Sequence, residues 1–128
     1  MPTIVDSSGW IEYFIDGPNA DCFADAIENN DALIVPAITL TEVYRWMLRE
    51  ATESDALAAV AAMKQGKVVP LDDQLSILAA EVSHRHKLPL ADGIIYTTAK
   101  HQDAELITQD ADMEGLPGVT YVRHPERK

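Results

Sequence analysis

Four carboxylates stand where short apolar runs end or helical runs begin: Asp6, Glu42, Asp92 and Asp110. Asp6 follows Thr3-Ile4-Val5, and Asp110 comes after Leu106-Ile107-Thr108. Glu42 lies early in a helical stretch, and Asp92 opens another. No nucleophilic cysteine, Ser-His pair or glycine-rich phosphate loop competes with them for chemistry. An all-oxygen, anionic donor set suits a hard divalent ion such as Mg²⁺ or Mn²⁺. Held by carboxylates, such an ion mostly serves phosphoryl chemistry.

Those four residues are useful only if the fold gathers them. Thr3 to Val5 reads as a buried strand, and Ser8 to Ile15 as a helix with Trp10, Ile11 and Phe14 on one face. Gly17-Pro18 stops it. Asn19 is placed to cap a second helix that carries Cys22, Phe23, Ala26 and Ile27 inward. Ala32 to Val35 is a second strand, Ile38 to Glu50 a helix, and Ser54 to Gln65 another with Leu57, Val60 and Ala61 inward. Lys67 to Leu71 is a third strand. Asp72 caps a helix that runs to about Lys87, with Leu75, Leu78, Ala79 and Val82 apolar. Asp92 to His101 is a further helix, and Leu106 to Thr108 and Val119 to Val122 are strands. Alternating strands and helices imply an α/β domain with a mostly parallel sheet and helices on both faces. Right-handed crossovers bring the strand C-termini to one edge, where ligands bind. Asp6 and Asp110 fall on that edge.

Each acid also has a plainer explanation. Asp6 or Ser7 can cap the first helix. Thr39-Leu40-Thr41-Glu42 has the form of a capping box. Asp92 is a first-turn acid favoured by the helix dipole, and Gly93 leaves room for a metal or phosphate to approach. Asp110 and Asp112 sit in a loop, where acids are common. Their joint placement raises the odds of a site.

Size and charge set the frame. The chain has 128 residues, 47% of them hydrophobic, with a net charge of -11. One domain, 1–128, with a basic tail from 123 to 128, is the expectation. No apolar run is long enough to span a membrane, and the start has no signal-like pattern, so a cytoplasmic protein is expected. The single cysteine, Cys22, excludes an internal disulfide and reads as a half-buried, inert thiol. The acidic balance argues against phosphate contact unless bound cations offset it. Basic residues cluster at His84-Arg85-His86-Lys87, just before Asp92.

Four blocks together resemble the PIN-domain nucleases: Val5-Asp6-Ser7-Ser8; Thr39 to Val43; Pro89 to Ala99; and Leu106 to Asp112. The likeness runs from Thr3 to Val122 and is greatest to the VapC-type toxins of bacterial and archaeal toxin–antitoxin pairs. The resemblance implies a PIN-like three-layer sandwich with a five-stranded parallel sheet in the order 3-2-1-4-5. It implies that Asp6, Glu42, Asp92 and Asp110 are catalytic metal ligands for Mg²⁺ or Mn²⁺. Asp112, Thr108 and Ser7 would be accessory. The implied activity is an endoribonuclease that hydrolyses RNA through metal-activated water, leaving 5′-phosphate and 3′-hydroxyl ends. A cognate antitoxin and a homodimer are the implied partners. Gly93 departs from the usual Ala, and Met113 from a frequent aromatic; neither removes a carboxylate.

Among the cations, Arg85 and Lys87 are the first choice for RNA contact, ahead of Arg45, Arg49 and Lys100. Two other acidic α/β classes fail on motif. A receiver domain needs paired acids after an early strand and a late Lys. A haloacid-dehalogenase phosphatase needs Asp where Ser8 stands. The alternative kept open is a catalytically silent PIN-like module that binds protein or RNA.

Overall fold

The computed structural model describes residues 1–126; Arg127 and Lys128, the end of the expected basic tail, lie outside the described residues. The elements run β1 (Thr3–Val5), α1 (Ser7–Phe14), α2 (Ala20–Glu28), β2 (Leu33–Pro36), α3 (Ala37–Glu50) and α4 (Glu53–Met63). They continue with β3 (Lys67–Val69), α5 (Asp73–His86), α6 (Leu90–His101), β4 (Glu105–Thr108), a 3₁₀ turn (Ala111–Met113) and β5 (Val119–Tyr121). The strands form one parallel sheet in the order β3-β2-β1-β4-β5. That is the expected α/β architecture and strand order.

Alternation along the strands divides the core. Val5, Leu33 and Val35 pack with Trp10, Phe23, Val43, Met47 and Met63 on the face covered by α1 to α4. Ile4, Ile34 and Leu106 pack with Leu75, Ile95, Tyr96 and Ala99 under α5 and α6. Their neighbours in sequence turn to the opposite face, so both faces of β1 and β2 are covered, and these strands are short and, apart from Thr3, apolar. Among the described residues, no helix is long and apolar enough to cross a membrane.

Three packing expectations are corrected. Helix α4 buries Ala56, Ala59 and Met63, while Leu57 is 55% exposed and Ala61 also faces solvent. An alanine-rich helix is weakly amphipathic, so its pattern does not fix a face; small residues let α4 approach α3 closely. Cys22 is exposed rather than half-buried. Asn19 occupies the N-cap position of α2 without capping it; its amide donates instead to Gln109 Oε1 at 3.1 Å and to the Arg123 carbonyl at 3.2 Å.

Register sets the floor of the site. Val5 pairs with Ile107, and the Asp6 N–H donates to the Ile107 carbonyl at 3.2 Å. The ends of β1 and β4 are therefore side by side, which brings residues about a hundred positions apart into contact.

Candidate functional site

Asp6 leaves the end of β1 in an extended conformation and caps α1. Its Oδ1 accepts from the Gly9 N–H at 3.1 Å and from Ser8 Oγ at 2.8 Å. Its Oδ2 accepts from Thr108 Oγ1 at 2.6 Å. Capping and site placement are thus compatible in one residue. A carboxylate offers about four lone-pair positions, so these three donors leave room for a further partner. The helix starts close over the strand: a Cβ on Gly9 would lie 2.6 Å from Val5 Cγ1. Burial pushes the Asp6 pKa up to about 6, against the three hydrogen bonds that lower it, with Asp110 adding repulsion.

Thr108 is fully buried at the end of β4. Besides donating to Asp6, its oxygen accepts from the Asp110 N–H at 2.9 Å. One hydroxyl thus joins the two strand-end acids. Asp110 caps the 3₁₀ turn, accepting from the Asp112 N–H at 2.9 Å. That turn brings Asp112 back beside Asp92 and Asp110, and the three present carboxylate oxygens within 4.8 Å of one another.

Asp92 stands in the first turn of α6, whose N-cap position is Pro89. Burial raises its pKa first; the adjacent Asp110 charge and hydrogen bond follow, then Asp6 and Asp112, to about 8 in all. Gly93 has a packing reason as well as the expected one. A Cβ there would collide with Ser83 Oγ on α5. The packing of α5 against α6 by itself requires the glycine.

Glu42 enters from α3. The capping-box reading fails, because the helix begins at Ala37 with Pro36 at the N-cap. Thr39 lies inside the first turn and donates to the Pro36 carbonyl at 2.7 Å. Free of a capping role, Glu42 Oε1 accepts from Ser7 Oγ at 2.6 Å. Ser7 therefore orients Glu42 as Thr108 and Ser8 orient Asp6.

All four expected acids line one cleft of about 400 Å³, with Ser7, Ser8, Ile11, Arg45, Trp46, Arg49 and Ile95. Asp112 flanks it through Asp110. Arg85 and Lys87 are exposed at the end of α5 and do not line the cleft; Lys87 closes the helix in the left-handed conformation. Being near Asp92 in sequence does not put them on its open side. Lys100 lies over the Tyr96 ring instead, 5.5 Å from its centroid. Arg45 and Arg49, which rank below Arg85 on sequence alone, do line the cleft, with Trp46 between them. Their spacing of three, four and seven from Glu42 was the available signal, since it places them on one helix face.

The donor set fits a hard ion. Oxygens on opposite sides of Mg²⁺ stand roughly 4 Å apart at bond lengths of about 2.0–2.1 Å. The carboxylate oxygens of Asp92, Asp110 and Asp112, all within 4.8 Å of one another, are gathered on that scale. Burial raises Asp6 and Asp92 first and the neighbouring acids add to it; a divalent cation would supply the missing counter-charge.

Comparison with known proteins agrees with the fold. The sequence matches the PIN domain family over residues 3–119. No curated protein sequence matches it significantly. A toxin–antitoxin complex from Klebsiella pneumoniae contains a chain of 23% identity and TM-score 0.80, covering 95% of this chain and 98% of that one. A DNA-bound VapBC of Salmonella typhimurium gives 18% identity and TM-score 0.74, covering 95% and 97%. VapC20 of Mycobacterium tuberculosis, described as a sarcin-ricin loop cleaving toxin, gives 17% identity and TM-score 0.70, covering 88% and 91%.

Proposed function

This chain belongs to the PIN-domain family, and we propose from that premise that it is a divalent-metal-dependent endoribonuclease, the toxin of a toxin–antitoxin pair. The observation that carries the reading is the convergence of Asp6, Glu42, Asp92 and Asp110 on one cleft from four different elements. A silent binding module has no need of acids whose burial, and then mutual repulsion, oppose ionisation.

Asp92, Asp110 and Asp112 would hold Mg²⁺ or Mn²⁺, with Asp6 and Glu42 facing the same space. Bound there, the ion supplies an acidified water and neutralises charge that builds on the phosphoryl oxygens. The protein's own groups do the positioning. Ser7 Oγ fixes the Glu42 carboxylate, and Thr108 Oγ1 fixes Asp6, so both need little reorganisation during reaction. Glu42, half-buried at the cleft wall, is placed to take a proton from the attacking water. In-line attack at phosphorus with departure of the 3′-oxygen leaves 5′-phosphate and 3′-hydroxyl ends.

The partner side of the proposal is an antitoxin, as in the toxin–antitoxin complexes among the structural relatives, with a homodimer of this chain. A second groove of about 410 Å³, lined by Phe14, Ile15, Met47 and Ala58 with Glu50 and Asp55, shares Trp46 with the cleft. Its apolar floor and acidic rim suit an antitoxin segment of apolar and basic residues. Occupied, it would cover part of the RNA cleft.

The test is cleavage of total cellular RNA by wild type and Asp6→Asn, with Mg²⁺ or Mn²⁺ and then with EDTA. Fragments with 5′-phosphates are expected from wild type with metal. Chelation should abolish them, and Asp6→Asn should reduce them by about 10²-fold or more, the scale of losing a group the reaction requires. Wild-type cleavage by Asp6→Asn would overturn the assignment.

A further inference from the structure

We propose that Arg45, Trp46 and Arg49 form a track for unpaired RNA, on which the strand beside the scissile phosphate lies along α3; this rests on the ribonuclease reading. All three line the acid cleft. A rise of about 1.5 Å per residue puts Arg45 and Arg49 roughly 4.5 and 10.5 Å beyond Glu42 along the helix. A strand leaving the acids thus meets one cation and then the next.

Charge gives the track its direction. The chain carries 21 acidic and 10 basic residues, and among the cleft-lining residues the only cations are Arg45 and Arg49. The other charged groups of the cleft, Asp6, Glu42, Asp92 and Asp110, are all acids. With a cation on those acids to receive the scissile phosphate, the flanking phosphates find further positive charge in the cleft only along α3. Arg49 Nε contacts Glu50 Oε2 at 3.2 Å, with both side chains about half exposed. Such a solvated pair is weak and yields readily to a phosphate, which accepts a guanidinium in bidentate fashion.

Trp46 supplies what charge cannot. It is half-buried, packed on the core from one side and lining the cleft from the other. An indole face stacks on any exposed base. In a duplex the base faces are already stacked, so the track selects single strands.

The experiment uses the Asp6→Asn chain, so that RNA survives, and a short unstructured RNA oligonucleotide. RNA should quench Trp46 fluorescence, because the other tryptophan, Trp10, is 0% exposed. Arg45→Ala with Arg49→Ala should weaken binding tenfold or more. It should also lower the slope of log affinity against log salt by about 1.4, at roughly 0.7 per lost single-strand phosphate contact. Lys64→Ala with Lys67→Ala removes the same charge away from the cleft and should leave that slope unchanged. Trp46→Leu, which keeps apolar packing, should cost about tenfold and abolish quenching. A duplex of the same sequence should bind at least tenfold more weakly; equal binding would overturn the stacking role. An unchanged slope and unchanged KM in the arginine variant, with wild type cleaving normally, would overturn the track and leave these side chains to a protein partner. If wild type cleaves no RNA yet the oligonucleotide binds with the expected pattern, the nuclease reading fails and the track stands.

Discussion

Asp6 and Glu12 stand near opposite ends of α1, and both are shut off from water at 2% and 3% exposure. Their surroundings differ in kind. Asp6 has hydroxyl and N–H donors on one side and the acids Asp92 and Asp110 on the other. Glu12 has a dedicated set of partners. Its Oε2 accepts from the Asn19 N–H at 2.7 Å and stands 3.4 Å from His124 Nε2. A Cβ at Gly17 would collide with its carboxylate, so the loop after α1 wraps directly over it. From there Asn19 extends the contact to Gln109 and the Arg123 carbonyl. Glu12 therefore tethers the chain end after β5 to α1. A buried acid surrounded by donors is structural; one crowded by other acids at the mouth of a cleft is poised for a cation.

That contrast is open to attack at several points. The largest expected effect is on the crowded side. Asp92→Asn should lower cleavage by about 10²-fold or more, yet raise the melting temperature of metal-free protein at pH 8, because it removes a charge that burial and Asp110 disfavour. A melting temperature below wild type at that pH would mean that Asp92 is satisfied without metal. Glu12→Gln should do the reverse. It should cost roughly 1–3 kcal/mol in denaturant unfolding, the penalty of a poorly satisfied buried partner. Cleavage by the folded fraction should stay within a few-fold of wild type. Loss of activity without loss of stability would erase the distinction between the two acids.

A smaller effect separates the regions by pH. Asp6 and Asp92 have folded pKa values of about 6 and about 8, above their ordinary value of 3.8. The metal-free fold therefore binds their protons more tightly than the unfolded chain does. Their contribution to stability is full below about pH 4 and is lost as pH rises through 6 and then 8. In EDTA the melting temperature should fall between pH 5 and pH 8.5. Mg²⁺ or Mn²⁺ should stabilise more at the upper end of that range, because cation binding drives off the same protons. A melting temperature that rises with pH in EDTA would contradict the crowding of acids. The smallest change should come from His124→Ala, roughly 1 kcal/mol, since its side chain is 14% exposed and removes only one of Glu12's partners.

The strands are legible as short runs dominated by Val, Ile and Leu, and their alternation with helices implies a parallel sheet whose C-terminal edge receives Asp6 and Asp110. The four cleft acids were legible for the same reason: chain position places each at a strand end or helix start. Helix boundaries misled where local chemistry allowed two readings. Thr39 and Glu42 have capping-box spacing, but Pro36 already occupies the N-cap, so Glu42 is free to meet Ser7. At Gly93 the sequence shows only that a side chain is absent; that Ser83 on a neighbouring helix excludes one is visible in the fold alone. The inward face of α4 was unreadable because alanine is apolar on every side.

What the sequence by itself determined is periodicity and the chemistry of single residues: which runs are strands, which are helices, and that the donors are hard oxygens. Tertiary structure alone decided which residues share a space. Thr108 reaches Asp6 across β1 and β4, Arg45 and Arg49 rather than Arg85 and Lys87 line the cleft, and Glu12 finds His124 at the far end of the chain. Local sequence encodes a helix's period but not its rotation about a neighbour. That rotation is set by packing, and it decides which charges meet.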